Sequence, residues 1–179
     1  HRHRHRRLQG NRHMSIWPKD IEDAAQTIVT DFTERGLLIS TAESCTAGLI
    51  AGAITEIPGS SSVLDRGFVT YSNEAKREMI GVANATLKAH GAVSRTTALE
   101  MAQGAIGNSG ANISIAVTGI AGPGGGTDEK PVGLVHLAAA RTGHETLHRE
   151  MRYGDIGRSA VRLATVRTAL EMLIEIARD

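Results

Sequence analysis

Residues 37–54 read LLISTAESCTAGLIAGAI. The apolar run at 37–39 is typical of a short buried strand, and the run at 49–54 is typical of the apolar face of a helix. Small hydroxyl side chains and one carboxylate lie between the two runs. Because the first backbone N–H groups of a helix have no partners within it, a hydroxyl held at this junction could face an anion or a developing oxyanion. The stretch therefore predicts a strand, a turn and a helix, with Ser44 as the first candidate nucleophile.

Two other interpretations of this junction have to be considered. Ser44 or Thr46 could do no more than cap the helix, which is the common use of Ser and Thr at such a position. Cys45 could act as a thiolate nucleophile, but the sequence supplies no dedicated histidine for it, so we expect a small buried residue. Cys45 is also the only cysteine, which excludes an intramolecular disulfide and a cysteine-built zinc site.

Hydrophobic periodicity predicts that helices and strands alternate on both sides of this stretch. Apolar residues recur every three or four positions across residues 18–35, which indicates an amphipathic helix. We expect further helices to begin near Ser72, Ser94 and Arg158, and strands at residues 63–71, 113–117, 132–140 and 144–152. Because the last two strands form a hairpin, the pattern predicts an α/β fold, a single three-layer α/β/α domain with a mixed sheet.

The composition limits the classes of partner. The first residues alternate His and Arg, so we expect an expression tag at 1–14 and one domain at 15–179. Five of the 20 Lys and Arg residues lie in that tag, which leaves 15 basic against 19 acidic residues and no basic cluster. We therefore expect no nucleic-acid partner. No apolar run approaches about 18 residues and no signal-peptide pattern follows Met14, which predicts a cytoplasmic protein without a membrane partner.

A glycine-rich segment, TGIAGPGGG at residues 118–126, follows one of the predicted strands. Glycine permits close approach of backbone N–H groups to an oxyanion or a phosphate. The segment lacks the Gly-Lys-Ser/Thr ending of a Walker A loop and the strict dinucleotide fingerprint. It is either a ligand-binding loop or a flexible surface loop. Ligands of layered α/β domains bind beyond the carboxyl ends of strands, where both this loop and the Ser44 turn are expected.

A second strand-to-helix junction, FVTYSNEAK at residues 68–76, carries a phenol and an ammonium group. If it adjoins the Ser44 turn, Lys76 could deprotonate Ser44, provided that burial or a neighbouring charge lowers its pKa from about 10.4. Tyr71 could then relay a proton or orient the substrate. On the simpler interpretation, Lys76 is solvated and Tyr71 is a half-buried strand residue.

Residues 144–148 read HETLH, which matches the His-Glu-x-x-His pattern of zinc proteases. That pattern works because a helix places both imidazoles on one face. Here the segment follows a strand and a tight turn, so we predict that it is extended. Residues four apart in a strand are separated by roughly 13 Å, too far to share one zinc ion. We therefore expect neither a metal nor an organic cofactor.

Four segments together, at residues 41–48, 67–76, 118–126 and 129–133, resemble the CinA C-terminal domain family, whose characterised members include a nicotinamide-mononucleotide amidase. The likeness extends in order over residues 20–175. It implies hydrolysis of the carboxamide of nicotinamide mononucleotide to nicotinic acid mononucleotide and ammonia. Many members carry a larger N-terminal domain, so we expect either a stand-alone amidase or one domain of a longer protein.

The resemblance also implies roles for individual residues. Ser44 matches the family's proposed nucleophile, Lys76 its proposed base, and Tyr71 and Thr118 its polar active-site positions. Arg158 resembles the arginine that meets the substrate phosphate. Substrate binding is further predicted at Glu43, Thr46, Gly119 and Gly122, which lie on the two loops.

Two other functions stay open. The chain could be a nucleotide-binding or partner module that lacks turnover, or it could hydrolyse a different small amide. In each case the expected ligand is a small molecule, and for the leading hypothesis it is a nucleotide. Apolar faces on the first and last helices suggest a homo-oligomer, although core packing explains the same pattern.

Overall fold

The described part of the chain, residues 14–179 of a computed structural model, alternates helices with strands. The helices are α1 (Lys19–Arg35), α2 (Leu49–Thr55), α3 (Asn73–Ile80), α4 (Asn84–His90), α5 (Arg95–Gly107) and α6 (Arg158–Ile176). The strands are β1 (Ile39–Glu43), β2 (Leu64–Val69), β3 (Ile113–Gly119), β4 (Leu134–Arg141) and β5 (Leu147–Arg152). The predicted tag lies outside the described residues except for Met14.

The five strands form one mixed sheet in the order β2-β1-β3-β4-β5. Strand β1 is parallel to β2 and β3, whereas β4 is antiparallel to β3 and β5. The carboxyl ends of β1 and β3 therefore lie at the same edge of the sheet. This edge brings the Ser44 turn, which follows β1, next to the glycine-rich loop, which follows β3.

Helices cover both faces of the sheet. Helices α1, α2 and α6 share one apolar core, which includes Ile28 and Leu170. Helices α3, α4 and α5 share a second core on the other face, which includes Ile80 and Met101. The structure therefore confirms the predicted three-layer α/β/α domain.

Capping residues and hydrophobic periodicity in the sequence predict most of the observed helices and strands. The Ser72 and Ser94 side chains cap α3 and α5 by accepting from Ala75 N and Thr97 N. The first strand was misplaced, because β1 begins at Ile39 and continues through the polar residues up to Glu43, all of them buried between two neighbouring strands. Helix α4 was missed, because it has no side-chain cap and buries little apolar surface.

Helix length and exposed apolar side chains bear on membrane and protein partners. None of the helices within residues 14–179 combines the length and the apolar content needed to cross a bilayer. Large apolar side chains are exposed at Val69, Tyr71, Met79 and Ile156, none of which lies on the first or last helix. Homo-oligomer formation stays a prediction.

Helix α5 packs on α3 so closely that Gly104 has no room for a side chain. A Cβ at Gly104 would lie 1.8 Å from the Ile80 carbonyl oxygen, whereas a Cβ at Gly107 would meet nothing within 4 Å. We expect Gly104→Ala to lower the free energy of unfolding by about 3 kcal/mol and the melting temperature by roughly 10 °C. Gly107→Ala, the matched control, should leave both unchanged or slightly raised. Equal melting temperatures for the two variants would contradict this packing.

Candidate active site

A cavity of about 220 Å³ lies at the edge of the sheet where β1 and β3 end. Its lining includes Ser44, Tyr71, Gly119, Gly122 and Arg158, five of the residues predicted from the sequence. The Ser44 N–H donates to the Val117 carbonyl at 3.1 Å, so strand pairing continues one residue beyond β1. The sheet thus holds the backbone of the candidate nucleophile, and Ser44 forms part of the cavity wall.

Lys76 lies directly behind Ser44. Its Nζ donates to Ser44 Oγ at 3.1 Å, to the Thr70 carbonyl at 2.9 Å and to the Tyr71 carbonyl at 3.3 Å. The side chain is only 1% exposed, and no carboxylate of the described residues forms an ion pair with it. Buried lysines without a paired charge are rare, so this arrangement indicates a functional amine.

Burial lowers the pKa of Lys76 from its usual 10.5 to about 8, because an apolar environment disfavours the charged form. A neutral amine has two N–H donors and one lone pair. The Thr70 and Tyr71 carbonyls can take both donors, which leaves the lone pair for the Ser44 hydroxyl proton. The geometry therefore suits Lys76 as a general base for Ser44.

Cys45 lines the same cavity but is poorly suited to be the nucleophile. Burial raises the pKa of its thiol to about 11, so the reactive thiolate is scarce at neutral pH. The Lys76 amine contacts Ser44 Oγ, and no histidine contact of Cys45 is present within residues 14–179. The structure therefore favours Ser44, and Cys45 is a small buried residue.

The turn after β1 differs from the expectation for Glu43 and Thr46. Glu43 Oε1 accepts from Thr46 Oγ1 at 2.6 Å and from Ile50 N at 2.8 Å, and Oε2 accepts from Ala51 N at 3.1 Å. The first turn of α2 is therefore capped by a buried carboxylate, and substrate binding by Glu43 and Thr46 stays a prediction. The two side chains bind each other and the helix end instead of the cavity, and no contact supports their predicted role in substrate binding.

Thr118 also faces away from the cavity. Its Oγ1 donates to the Ala92 carbonyl at 2.7 Å, and the side chain is 1% exposed. This hydroxyl joins β3 to the segment before α5. The next residue along the chain, Gly119, lines the cavity. The polar active-site role that the resemblance implies for the Thr118 side chain is thus not supported by its position.

Arg158 and Tyr71 meet at the mouth of the cavity. Arg158 Nη1 donates to the Gly122 carbonyl at 2.8 Å, and Nη2 donates to Tyr71 Oη at 3.3 Å. Both side chains are exposed. Arg158 is the first residue of α6, and within the described residues no carboxylate pairs with it. Its charge is available to an anionic ligand.

Sequence reasoning assigned no role to two contributors to this site. The Thr70 carbonyl holds Lys76, and a backbone contact of this kind leaves no signal in the sequence. Arg162 donates from Nε to the Cys45 carbonyl at 3.0 Å. It lies one helical turn after Arg158, and the Arg-x-x-x-Arg spacing in the sequence already indicates that the two side chains share a face of the helix.

The zinc-protease pattern at residues 144–148 does not form a helix. His148 lies in β5, and its Nε2 is 3.0 Å from His136 Nδ1 on β4. His144 precedes the strand and contacts the Thr142 carbonyl. Within residues 14–179, no group of three or more His, Cys, Asp or Glu side chains is arranged to hold a metal ion. The extended segment that we predicted is confirmed from Leu147 onwards.

Known proteins match both the sequence and the fold. The CinA C-terminal domain model matches residues 21–177. CinA-like proteins of Akkermansia muciniphila and Syntrophus aciditrophicus are each 48% identical, over 86% and 88% of this chain. The chain spans 37% of the length of each of these two relatives.

Solved structures resemble the whole described fold. The competence/damage inducible protein CihA from Agrobacterium tumefaciens is 67% identical, with a TM-score of 0.91 over 92% of this chain and 100% of that one. A competence-damaged protein (CinA) superfamily protein from Escherichia coli is 33% identical, with a TM-score of 0.83 over 91% of this chain and 94% of that one. These names refer to competence and damage, and they specify no substrate.

Proposed function

The chain belongs to the CinA C-terminal domain family, and from that membership and the geometry of its site we propose that it hydrolyses the carboxamide of nicotinamide mononucleotide. The products are nicotinic acid mononucleotide and ammonia. The observation that carries the proposal is the 3.1 Å contact between Lys76 Nζ and Ser44 Oγ. A module that only binds a nucleotide has no need of a buried, unpaired lysine against a serine hydroxyl.

In the acylation step, Ser44 Oγ attacks the amide carbon while the neutral Lys76 amine accepts the hydroxyl proton. The carbonyl oxygen becomes an oxyanion. As the tetrahedral intermediate collapses, the C–N bond breaks and the Lys76 ammonium gives its proton to the leaving nitrogen. Ammonia departs and an ester to Ser44 remains.

In the deacylation step, water attacks the ester carbon and passes a proton to Lys76. The bond from carbon to Ser44 Oγ then breaks, and Lys76 returns the proton to the serine oxygen. The product is a carboxylic acid, which releases its remaining proton to solvent and leaves as a carboxylate. One amine thus serves as base and acid in both halves of the reaction.

Several backbone amides near the nucleophile are already used within the fold. The Ser44 N–H donates to Val117 and the Ile120 N–H donates to Leu134. Ala121 and Gly122 belong to the loop that lines the same cavity as Ser44. We assign their N–H groups as the donors that stabilise the oxyanion.

The charges around the cavity favour an anionic substrate. Arg158 contributes positive charge, and no carboxylate of the described residues lines this cavity, whereas Asp128 and Asp155 line the adjoining cleft. The cavity adjoins a larger cleft of about 550 Å³, with which it shares Gly124 and Gly125. A nucleotide could place its amide ring beside Ser44 and the rest of the molecule along this loop, with its phosphate on Arg158 in place of the Gly122 carbonyl.

This placement predicts how substrate preference depends on Arg158. Arg158→Ala should lower kcat/KM for nicotinamide mononucleotide about 30-fold, mainly through KM, because a charge-assisted contact to the phosphate is lost. Nicotinamide riboside, which lacks the phosphate, should react slowly with the parent protein and at the same rate with the variant. Ammonia release measured with both substrates checks this. An equal loss with both would show that Arg158 does not bind the phosphate.

The pKa of Lys76 predicts the dependence of the reaction on pH. The amine acts as a base only when neutral, so kcat/KM should rise with pH and level off above about 8. Below that value, it should fall about tenfold per pH unit, because the neutral fraction falls in that proportion. Initial rates between roughly pH 6 and 10 would show this profile. A flat profile would mean that Lys76 is not the base.

Tight binding of nicotinamide mononucleotide without ammonia release by the folded, tag-free protein would support the alternative of a binding module. Ready release from another small amide, in preference to this nucleotide, would support the third hypothesis. Measuring ligand binding and ammonia release on the same preparation distinguishes the two outcomes.

A further inference from the structure

The turn that carries the nucleophile has an uncommon backbone. Ala47 has φ 45° and Gly48 has φ 100°, so two successive residues adopt left-handed φ values. Such a conformation costs about 1–2 kcal/mol for a residue with a Cβ. The turn therefore depends on contacts from outside its own backbone to stay in this shape.

Two charged side chains from different elements supply such contacts. Glu43 binds Thr46 and the first turn of α2, as described above. Arg162, on α6, donates from Nε to the Cys45 carbonyl at 3.0 Å and from Nη2 to the Thr46 carbonyl at 3.5 Å. The first of these is the stronger contact, and it orients the peptide group directly after Cys45.

Arg162 differs from two nearby arginines, one on β5 and one on α6, that form ion pairs. Arg149 pairs with Glu171 and Glu175, and Arg167 pairs with Asp20. Arg162 is half-buried, and among the described residues no carboxylate forms an ion pair with it. Its guanidinium binds the carbonyls that follow Ser44 instead.

We propose that Arg162 is a positioning residue that holds the Ser44 hydroxyl within reach of the Lys76 amine. The inference rests on the proposed Ser44–Lys76 chemistry. Lys76 has little freedom to follow a displaced serine, because the Thr70 and Tyr71 carbonyls hold its Nζ. The 3.1 Å contact between the two side chains therefore depends on the shape of the turn. Arg162 fixes that turn just after the nucleophile, and the Val117 carbonyl fixes it at Ser44 itself.

Arg162 and Arg158 lie one turn apart on α6 but have different tasks. Arg158 lines the cavity, whereas Arg162 lies behind the turn and does not line it. Loss of Arg162 should thus lower kcat and leave KM nearly unchanged, while loss of Arg158 raises KM. A misplacement of reacting atoms by about 1 Å costs on the order of 100-fold in rate.

The test compares Arg162→Met and Arg162→Lys with Arg167→Met, which removes a cation of the same helix from an exposed ion pair. Arg162→Met should lower kcat about 100-fold, with KM within about twofold, and Arg162→Lys should recover part of the loss. The midpoint of the pH profile should stay near 8, because the burial that lowers the pKa of Lys76 is retained. Arg167→Met should match the parent. Melting temperatures show that each variant is folded.

A second readout separates this inference from the identity of the substrate. A fluorophosphonate probe labels activated serines, and its rate of attachment to Ser44, followed by mass spectrometry, should fall by the same factor in Arg162→Met. If the parent is labelled at Ser44 but releases no ammonia from nicotinamide mononucleotide, the proposed function fails and the labelling rates still test Arg162. Labelling of a folded Arg162→Met at the parent rate, or an equal loss in Arg167→Met, would overturn the role assigned to Arg162.

Discussion

Ser44→Ala should abolish measurable ammonia release from nicotinamide mononucleotide, with a fall in kcat of at least about 10⁴-fold. The reason is chemical, since no other hydroxyl within residues 14–179 contacts the Lys76 amine. The fold should be unaffected, because strand pairing at this position uses the backbone N–H of Ser44. Rates of ammonia release and circular dichroism spectra, measured on the same preparations, check both statements.

Ser40→Ala provides a matched control for that experiment. Ser40 is a fully buried serine on β1, and its Oγ has no hydrogen-bond partner in the part of the chain that the structure describes. Removal of this hydroxyl group should leave both the rate of ammonia release and the free energy of unfolding close to those of the parent. If Ser44→Ala released ammonia at the parent rate, the nucleophile would lie elsewhere and the assignment of the serine–lysine pair would be wrong.

Lys76→Met should lower kcat about 1,000-fold, because a general base of this kind contributes roughly 10²–10⁴-fold to the rate. The same substitution should make the protein more stable at pH 7. At that pH the lysine is charged in the unfolded chain, and its burial without a paired charge costs free energy. From the lowered pKa of Lys76, we expect a gain of roughly 2 kcal/mol in the free energy of unfolding.

The stability difference has a definite pH dependence. The pKa of Lys76 is lower in the folded state than in the unfolded one, so the parent gains stability as pH rises from about 8 to 10.5. The amount by which the free energy of unfolding of Lys76→Met exceeds that of the parent should therefore decrease over this pH range. Denaturant titrations at several pH values, with the exposed Lys88→Met as control, measure it. A less stable but active Lys76→Met protein would identify Lys76 as a structural residue.

Sequence patterns were sufficient where the interaction is local. The caps at Ser72 and Ser94, and the amphipathic α1, depend on residues within one or two helical turns. The contact between the two candidate catalytic residues is harder to predict from the sequence, because Ser44 and Lys76 are 32 residues apart. Parallel pairing of β1 with β2 brings their junctions together, and the Thr70 N–H donates to the Glu43 carbonyl there. The hypothesis was formed from the sequence, but only the strand order could support it.

The differences between the expected and the observed positions concern which way a side chain points at the end of a strand. Alternate residues of a strand face opposite sides of the sheet, so the register decides that Thr118 meets Ala92 while its neighbour Gly119 lines the cavity. Glu43 was expected at the substrate, but three donors around α2 draw its carboxylate inward. Strand register is set by pairing with the neighbouring strands, and it cannot be read from the spacing of residues in the sequence.

The most direct test of the central claim is ammonia release from nicotinamide mononucleotide by the tag-free protein, in the presence and absence of a metal chelator. We expect steady release in both conditions, matched by an equal amount of nicotinic acid mononucleotide, because Ser44 and Lys76 supply the nucleophile and the base. The absence of release from a folded protein would contradict the proposed amidase. Release that the chelator abolishes would contradict a mechanism that relies on the serine–lysine pair alone.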